Sequence, residues 1–107
     1  MEQLQILETE DPHGVRLIGE IDMATAPALS EALLAAVLGG KAISVDMADV
    51  TFMDSSGLQA ILAAAAEATA EEPLVVKDPS PAVLRVMELV AVEQMPQIRI
   101  VEESSRD

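Results

Sequence analysis

The chain has 107 residues and a mass of 11.3 kDa, and half of it is apolar. That is the size and composition of one compact domain and excludes a disordered polymer. Six basic against nineteen acidic residues give a formal charge of -13, which disfavours nucleic acid and anionic lipid and favours a basic protein partner.

Taken in chain order, residues 4–9 read as extended and Asp11-Pro12-His13-Gly14 as a turn. Val15, Leu17 and Ile21 alternate with Arg16 and Glu20, which predicts a strand over 15–21 paired antiparallel with the first. Thr25 stands as an N-cap with Pro27 in the first helical turn. Leu29, Ala32, Leu33, Ala36 and Val37 recur at helical spacing, and Gly39-Gly40 closes that helix. Ile43, Val45 and Met47 predict a strand at 42–47, and residues 50–53 form a short approach to Asp54-Ser55-Ser56-Gly57. Leu58, Ile61, Leu62 and Ala65 mark a second helix, expected to run through Ala-rich sequence to about residue 70. Leu74-Val75-Val76-Lys77 reads as a buried, central strand. Ser80 and Pro81 open a third helix lined by Val83, Leu84, Met87, Val90 and Ala91. Residues 97–101 form a last strand, and the polar residues 102–107 are expected to fray. The order β-β-α-β-α-β-α-β predicts an α/β fold with a mixed, mostly parallel sheet and one antiparallel edge, in one domain over 1–107.

The side-chain inventory narrows the chemistry. With no cysteine and a single histidine, His13, a disulfide framework, a thiol nucleophile and most transition-metal sites are excluded, so neither metal nor cofactor is expected. His13 reads as an exposed turn residue, and Asp46 and Asp49 as the polar face of a strand and a turn rather than a carboxylate pair. Gly39-Gly40-Lys41 lacks the spacing of a phosphate-binding loop. The one aromatic, Phe52, is expected in an otherwise aliphatic core, with Met47 and Met87 as fillers. The longest apolar run, residues 32–38, is too short to span a bilayer. No basic, apolar leader precedes Leu4, so a cytoplasmic protein is expected.

The informative segment is residues 51–58, a strand-to-helix junction where α/β folds present functional loops. Ser56 and Gln59 have the spacing of a capping box, which would place Ser55 one step outside the helix with the positive helix end beneath its hydroxyl. Capping alone accounts for one short polar residue, not for Asp54, Ser55 and Ser56 in a row followed by Gly57.

Phe52-Met53-Asp54-Ser55-Ser56-Gly57-Leu58 resembles the signature of STAS-domain anti-sigma factor antagonists. Gly19-Glu20-Ile21-Asp22 with Thr25-Ala26, and Ser80-Pro81-Ala82-Val83, resemble two further stretches of that family in the same order. The resemblance implies a non-enzymatic partner switch without a cofactor. Unphosphorylated, the domain would bind an anti-sigma factor that is also a serine kinase; phosphorylated at Ser55, it would be released and later reset by a phosphatase. Transcription would thus be regulated indirectly. Asp22, Met23, Thr25, Met53, Asp54, Ser55, Ser56 and Gly57 would form the partner-binding surface, Asp22 and Asp54 facing basic groups on the kinase.

The chain departs from the family at Val90-Ala91, where relatives often carry Ser-Gly, and in having only residues 102–107 where many carry a C-terminal helix. Two other readings use the same fold. One is an adaptor subunit of a lipid-transport or other membrane transporter complex, docking without phosphorylation. The other is a ligand-sensing module, against which the lack of Lys or Arg near the loop weighs. The acceptor serine favours the antagonist.

Overall fold

A computed structural model describes residues 3–90 and 94–103. Its strands are β1 (Gln5–Glu10), β2 (His13–Ile21), β3 (Ile43–Met53), β4 (Leu74–Lys77) and β5 (Ile98–Val101). The helices are α1 (Ala26–Val37), α2 (Ser55–Ala65) and α3 (Pro81–Met87). The strands lie side by side in sequence order, β1 antiparallel to β2 and every later pair parallel. This is the predicted α/β architecture.

A sheet wound in sequence order has a simple consequence. Three crossovers of the same hand, all stepping in one direction, lay their helices on the same face. The burial pattern agrees. Val15, Val45 and Val76 are neighbours in register and all buried, as are Ile43, Leu74 and Ile98. The alternate register set, with Arg16, Asp46 and Lys77 side by side, faces away from the helices. The core is therefore one aliphatic layer between sheet and helices, closed by Leu29 and Leu33 of α1, Ile61 of α2 and Val83 of α3.

β3 is longer than the sequence pattern implied. It runs unbroken through residues 48–53 by means of two irregularities against β2, one after Arg16 and one after Gly19. At each, β3 spends one residue more than its partner, which is a bulge. Its buried apolar residues fall at 43, 45, 47, 50 and 53, so the period of two becomes a step of three at each bulge. Gly19, with φ 116, stands on β2 opposite the second bulge in a conformation that favours glycine. Phe52 is consequently turned outward and 46% exposed, not in the core, while Met53 behind it is buried. Asp49 lies within the bulged strand, not in a turn, and ion-pairs with Arg16.

The other sequence boundaries move by a few residues. α2 ends at Ala65 rather than near 70, with Ala66 as its C-cap. Beyond Ala66 only Ala68 still packs against the core, and helix propensity alone does not hold so short a segment. α3 ends at Met87, and Val90 packs on the core from beyond it. Ser80 caps α3 as expected, accepting from the Val83 N–H at 3.4 Å. The assignment of Ala91 to the third helix and the fraying of residues 104–107 lie outside the described residues. No helix among the described residues is long and apolar enough to cross a membrane.

Candidate functional site

The site lies at the C-terminal ends of β2 and β3. Ile21 and Met53 are register partners, and the Asp54 N–H donates to the Ile21 carbonyl at 3.3 Å. The two chains therefore leave the sheet side by side, one into Asp22 and α1, the other into Asp54 and α2. Each exit is built on an aspartate. One oxygen of Asp22 accepts from the N–H groups of Ala24 (3.0 Å) and Thr25 (3.1 Å). One oxygen of Asp54 accepts from the Ser56 N–H at 2.9 Å and from the Ser56 hydroxyl.

These bonds revise the capping scheme. Asp54, not Ser56, is the N-cap of α2, so Ser55 is the first helical residue rather than a turn residue outside it. Asp54 wins because its extended backbone (φ -112, ψ -170) aims a carboxylate at the free N–H groups, where the helix dipole also favours an anion. Gln59 takes no part in a capping box. Thr25 holds the N-cap position of α1, but its side chain does not cap the helix. Its hydroxyl instead accepts from the Asp22 N–H at 2.9 Å and reaches the Glu20 carbonyl at 3.2 Å. Asp22 and Thr25 thus brace each other across the loop.

The two serines are placed in opposite states. Ser56 is half-buried and its hydroxyl donates to Asp54. Ser55 is exposed, and its hydroxyl makes no hydrogen bond among the described residues. Asp54 is held below the ordinary carboxylate range, chiefly by the Ser56 hydroxyl, with desolvation opposing and the N–H groups of Ser56 and Gly57 adding to the effect. An ionised carboxylate therefore stands beside the free hydroxyl.

Gly57 explains the tight seat of this turn. A Cβ there would lie 2.7 Å from Ile21 Cγ2 and Met53 Cγ and 3.0 Å from Met53 Sδ. Only a residue without a side chain lets the first turn of α2 rest directly on the buried Ile21 and Met53. Of the expected partner-binding residues, Asp22, Met23, Thr25, Asp54, Ser55 and Ser56 come together at the surface, wholly or half exposed. Met53 and Gly57 lie beneath and support it. Beside Ser56 a shallow groove of about 350 Å³ opens between α1 and α2, lined by Met23, Ala26, Pro27, Ser30, Ser56, Gln59 and Ala60. Ala26, Pro27, Ser30, Gln59 and Ala60 were not anticipated, because which helical residues flank a groove depends on how two helices distant in sequence pack. Among the described residues no group of His, Cys, Asp or Glu is arranged to hold a metal ion.

Residues 5–102 match the family model described as Mlab, STAS domain. The chain therefore belongs to the STAS-domain family, the class that the one-sided helical layer and the braced β2 and β3 exits describe. Among solved structures it is similar to an anti-sigma factor antagonist from Mycobacterium paratuberculosis, with 28% identity over 92% of this chain and 86% of that one and a TM-score of 0.74. It shares its fold with the anti-sigma factor antagonist SpoIIAA in its unphosphorylated form, at 22% identity, TM-score 0.65, 98% of this chain and 90% of the other. A Thermotoga maritima protein shares the fold at 18% identity and TM-score 0.67, over 94% of this chain and 86% of its own. A sequence search of curated proteins returns no match.

Proposed function

We propose that this chain is a cytoplasmic anti-sigma factor antagonist switched by phosphorylation of Ser55. The observation that carries the proposal is the contrast at the head of α2: Ser55 is exposed with a free hydroxyl, while Ser56 is tied to Asp54. The 28% identity with an anti-sigma factor antagonist over most of both chains supports the same role. A partner that is both anti-sigma factor and serine kinase would transfer the γ-phosphoryl group of ATP to Ser55 Oγ. The hydroxyl proton passes to a base of the kinase and ADP leaves. The chain is the substrate and ligand in this scheme, not the catalyst, and a serine phosphatase would restore the hydroxyl.

The physical basis of the switch is electrostatic. A phosphoserine adds about -1.5 to -2 charges at pH 7. At the first residue of α2 the free N–H groups and the helix dipole tolerate that charge, so the fold persists. In a docked interface the same group must be desolvated beside the Asp54 carboxylate. A mispaired interfacial charge costs roughly 2–5 kcal/mol, a loss of about 30-fold to several thousand-fold in affinity. Release therefore needs no conformational change.

The test is incubation with serine kinases and ATP followed by intact mass measurement. A single phosphate mapped to Ser55 and absent in Ser55→Ala is expected. Ser55→Asp should weaken partner binding while Ser55→Ala retains it; equal affinities for wild type and both variants would refute the switch. A second reading, an adaptor subunit of a lipid-transport or other membrane transporter complex, uses the same face without modification. It is favoured by one feature: the groove beside Met23 needs no phosphate to serve as a docking site.

A further inference from the structure

The helical layer carries a charge pattern unlike the rest of the molecule. The 12 residues of α1 and the 11 of α2 contain one charged side chain, Glu31, in a chain of net charge -13. No basic residue occurs between Arg16 and Lys41 or between Lys41 and Lys77, so every charge on these helices and their entry loops is negative. The α1/α2 groove is thus lined only by uncharged residues, apolar Met23, Ala26, Pro27 and Ala60 together with Ser30, Ser56 and Gln59, and the Asp54 carboxylate stands beside it on Ser56.

At the head of this groove stands Met23, 79% exposed, the most exposed of the large apolar side chains among the described residues. The backbone that carries it is held in place. The loop from Glu20 to Ala26 is closed around it by the Asp22 carboxylate, the Thr25 hydroxyl, and the Asp22 carbonyl, which accepts from Thr25 and Ala26 at 3.1 and 2.8 Å. Because the loop backbone is already braced, binding need order only the Met23 side chain and not the loop that carries it, which lowers the cost of an interface anchor.

We infer that Met23 and the α1/α2 groove form the apolar anchor of the docking surface, taking an apolar side chain of a partner segment flanked by lysine or arginine. Asp22 acts there as a positioning residue, holding Met23 out, rather than as a charge facing the partner. The occupant follows from charge. A second copy would bring another -13 chain against a surface without a basic residue, and an anionic membrane would meet the same repulsion, whereas a basic segment is complementary to the net charge and to Asp54. This inference rests on the partner-binding half of the proposed function but not on phosphorylation.

The experiment measures by calorimetry the affinity for the anti-sigma factor kinase used in the Ser55 assay. The variants are Met23→Ala, Asp22→Asn, Asp22→Ala and Ser55→Asp. Met23→Ala is expected to weaken binding 10- to 100-fold. Asp22→Asn keeps an oxygen that can accept from Ala24 and Thr25 and should remain within threefold of wild type. Asp22→Ala loses the brace and should approach Met23→Ala, and the two should not add. Met23→Ala within twofold of wild type overturns the anchor, and Asp22→Asn as weak as Asp22→Ala overturns the positioning role. Self-association by sedimentation, or binding to phosphatidylglycerol vesicles, abolished by Met23→Glu would assign the groove to another occupant and overturn the basic partner. If Ser55→Asp binds like wild type while Met23→Ala does not, the phosphorylation switch fails and the anchor stands.

Discussion

Replacing Gly57 with alanine adds one methyl group under the switch loop, and its cost can be worked from the packing. Apolar carbons rest at about 3.5–4.0 Å. The new Cβ would meet Ile21 Cγ2 and Met53 Cγ at 2.7 Å, roughly 1 Å too close. Met53 is buried in the packed core and Ile21 is fully buried and branched at Cβ, so neither can swing clear and relief must come from the first turn of α2 lifting off the sheet. Overpacking of this kind costs about 1–3 kcal/mol, while the better helix propensity of alanine returns up to about 1 kcal/mol. An overlap of about 1 Å against two buried side chains puts the cost at the upper end, so the net loss is about 2 kcal/mol, or roughly 8–16 °C in Tm for a domain of this size. The same movement should displace the amide resonances of Ser55 and Ser56 and slow the phosphorylation proposed at Ser55. In a Met53→Ala background two of the three close contacts vanish, so the penalty of Gly57→Ala should fall to about half or less. Urea denaturation of the four proteins of this cycle tests the argument. A Gly57→Ala variant as stable as wild type, or an equal penalty in both backgrounds, would refute it.

Further outcomes follow from other parts of the site and core. Because Asp54 has a folded pKa below its unfolded value, its contribution to stability is complete above about pH 4 and is lost as pH falls through the folded value. Denaturation midpoints between pH 2 and 6 should therefore fall on acidification less steeply in Asp54→Asn than in wild type, and identical slopes would contradict the cap. Asp54→Ala should cost about 0.5–2 kcal/mol at pH 7 in the same assay. Gly14→Ala places a Cβ 1.8 Å from the Ser44 carbonyl oxygen and should separate β2 from β3, with a loss of about 3 kcal/mol or more read by thermal denaturation. Phe52→Ser should cost less than about 1 kcal/mol and Met53→Ala about 2–5 kcal/mol, reversing the usual expectation for a lone aromatic beside a methionine.

Element order, the parallel sheet with its antiparallel edge and the segment that opens α2 were legible in the chain alone. Each is written in local terms. Alternation at 15–21 and helical spacing at 29–37 are properties of neighbouring residues, and Asp54-Ser55-Ser56-Gly57 is contiguous. The bulges were also present in the spacing of 43, 45, 47, 50 and 53, but a step of three resembles a turn unless the partner strand is in view. Tertiary structure alone decided which serine is free, because that depends on which oxygen reaches the unpaired N–H groups of α2. It alone decided that Phe52 faces outward, since a bulge is a mismatch between two strands. And it alone revealed why residue 57 is a glycine: the methyl it lacks would collide with Ile21, thirty-six positions away in the chain and one atom's width away in space.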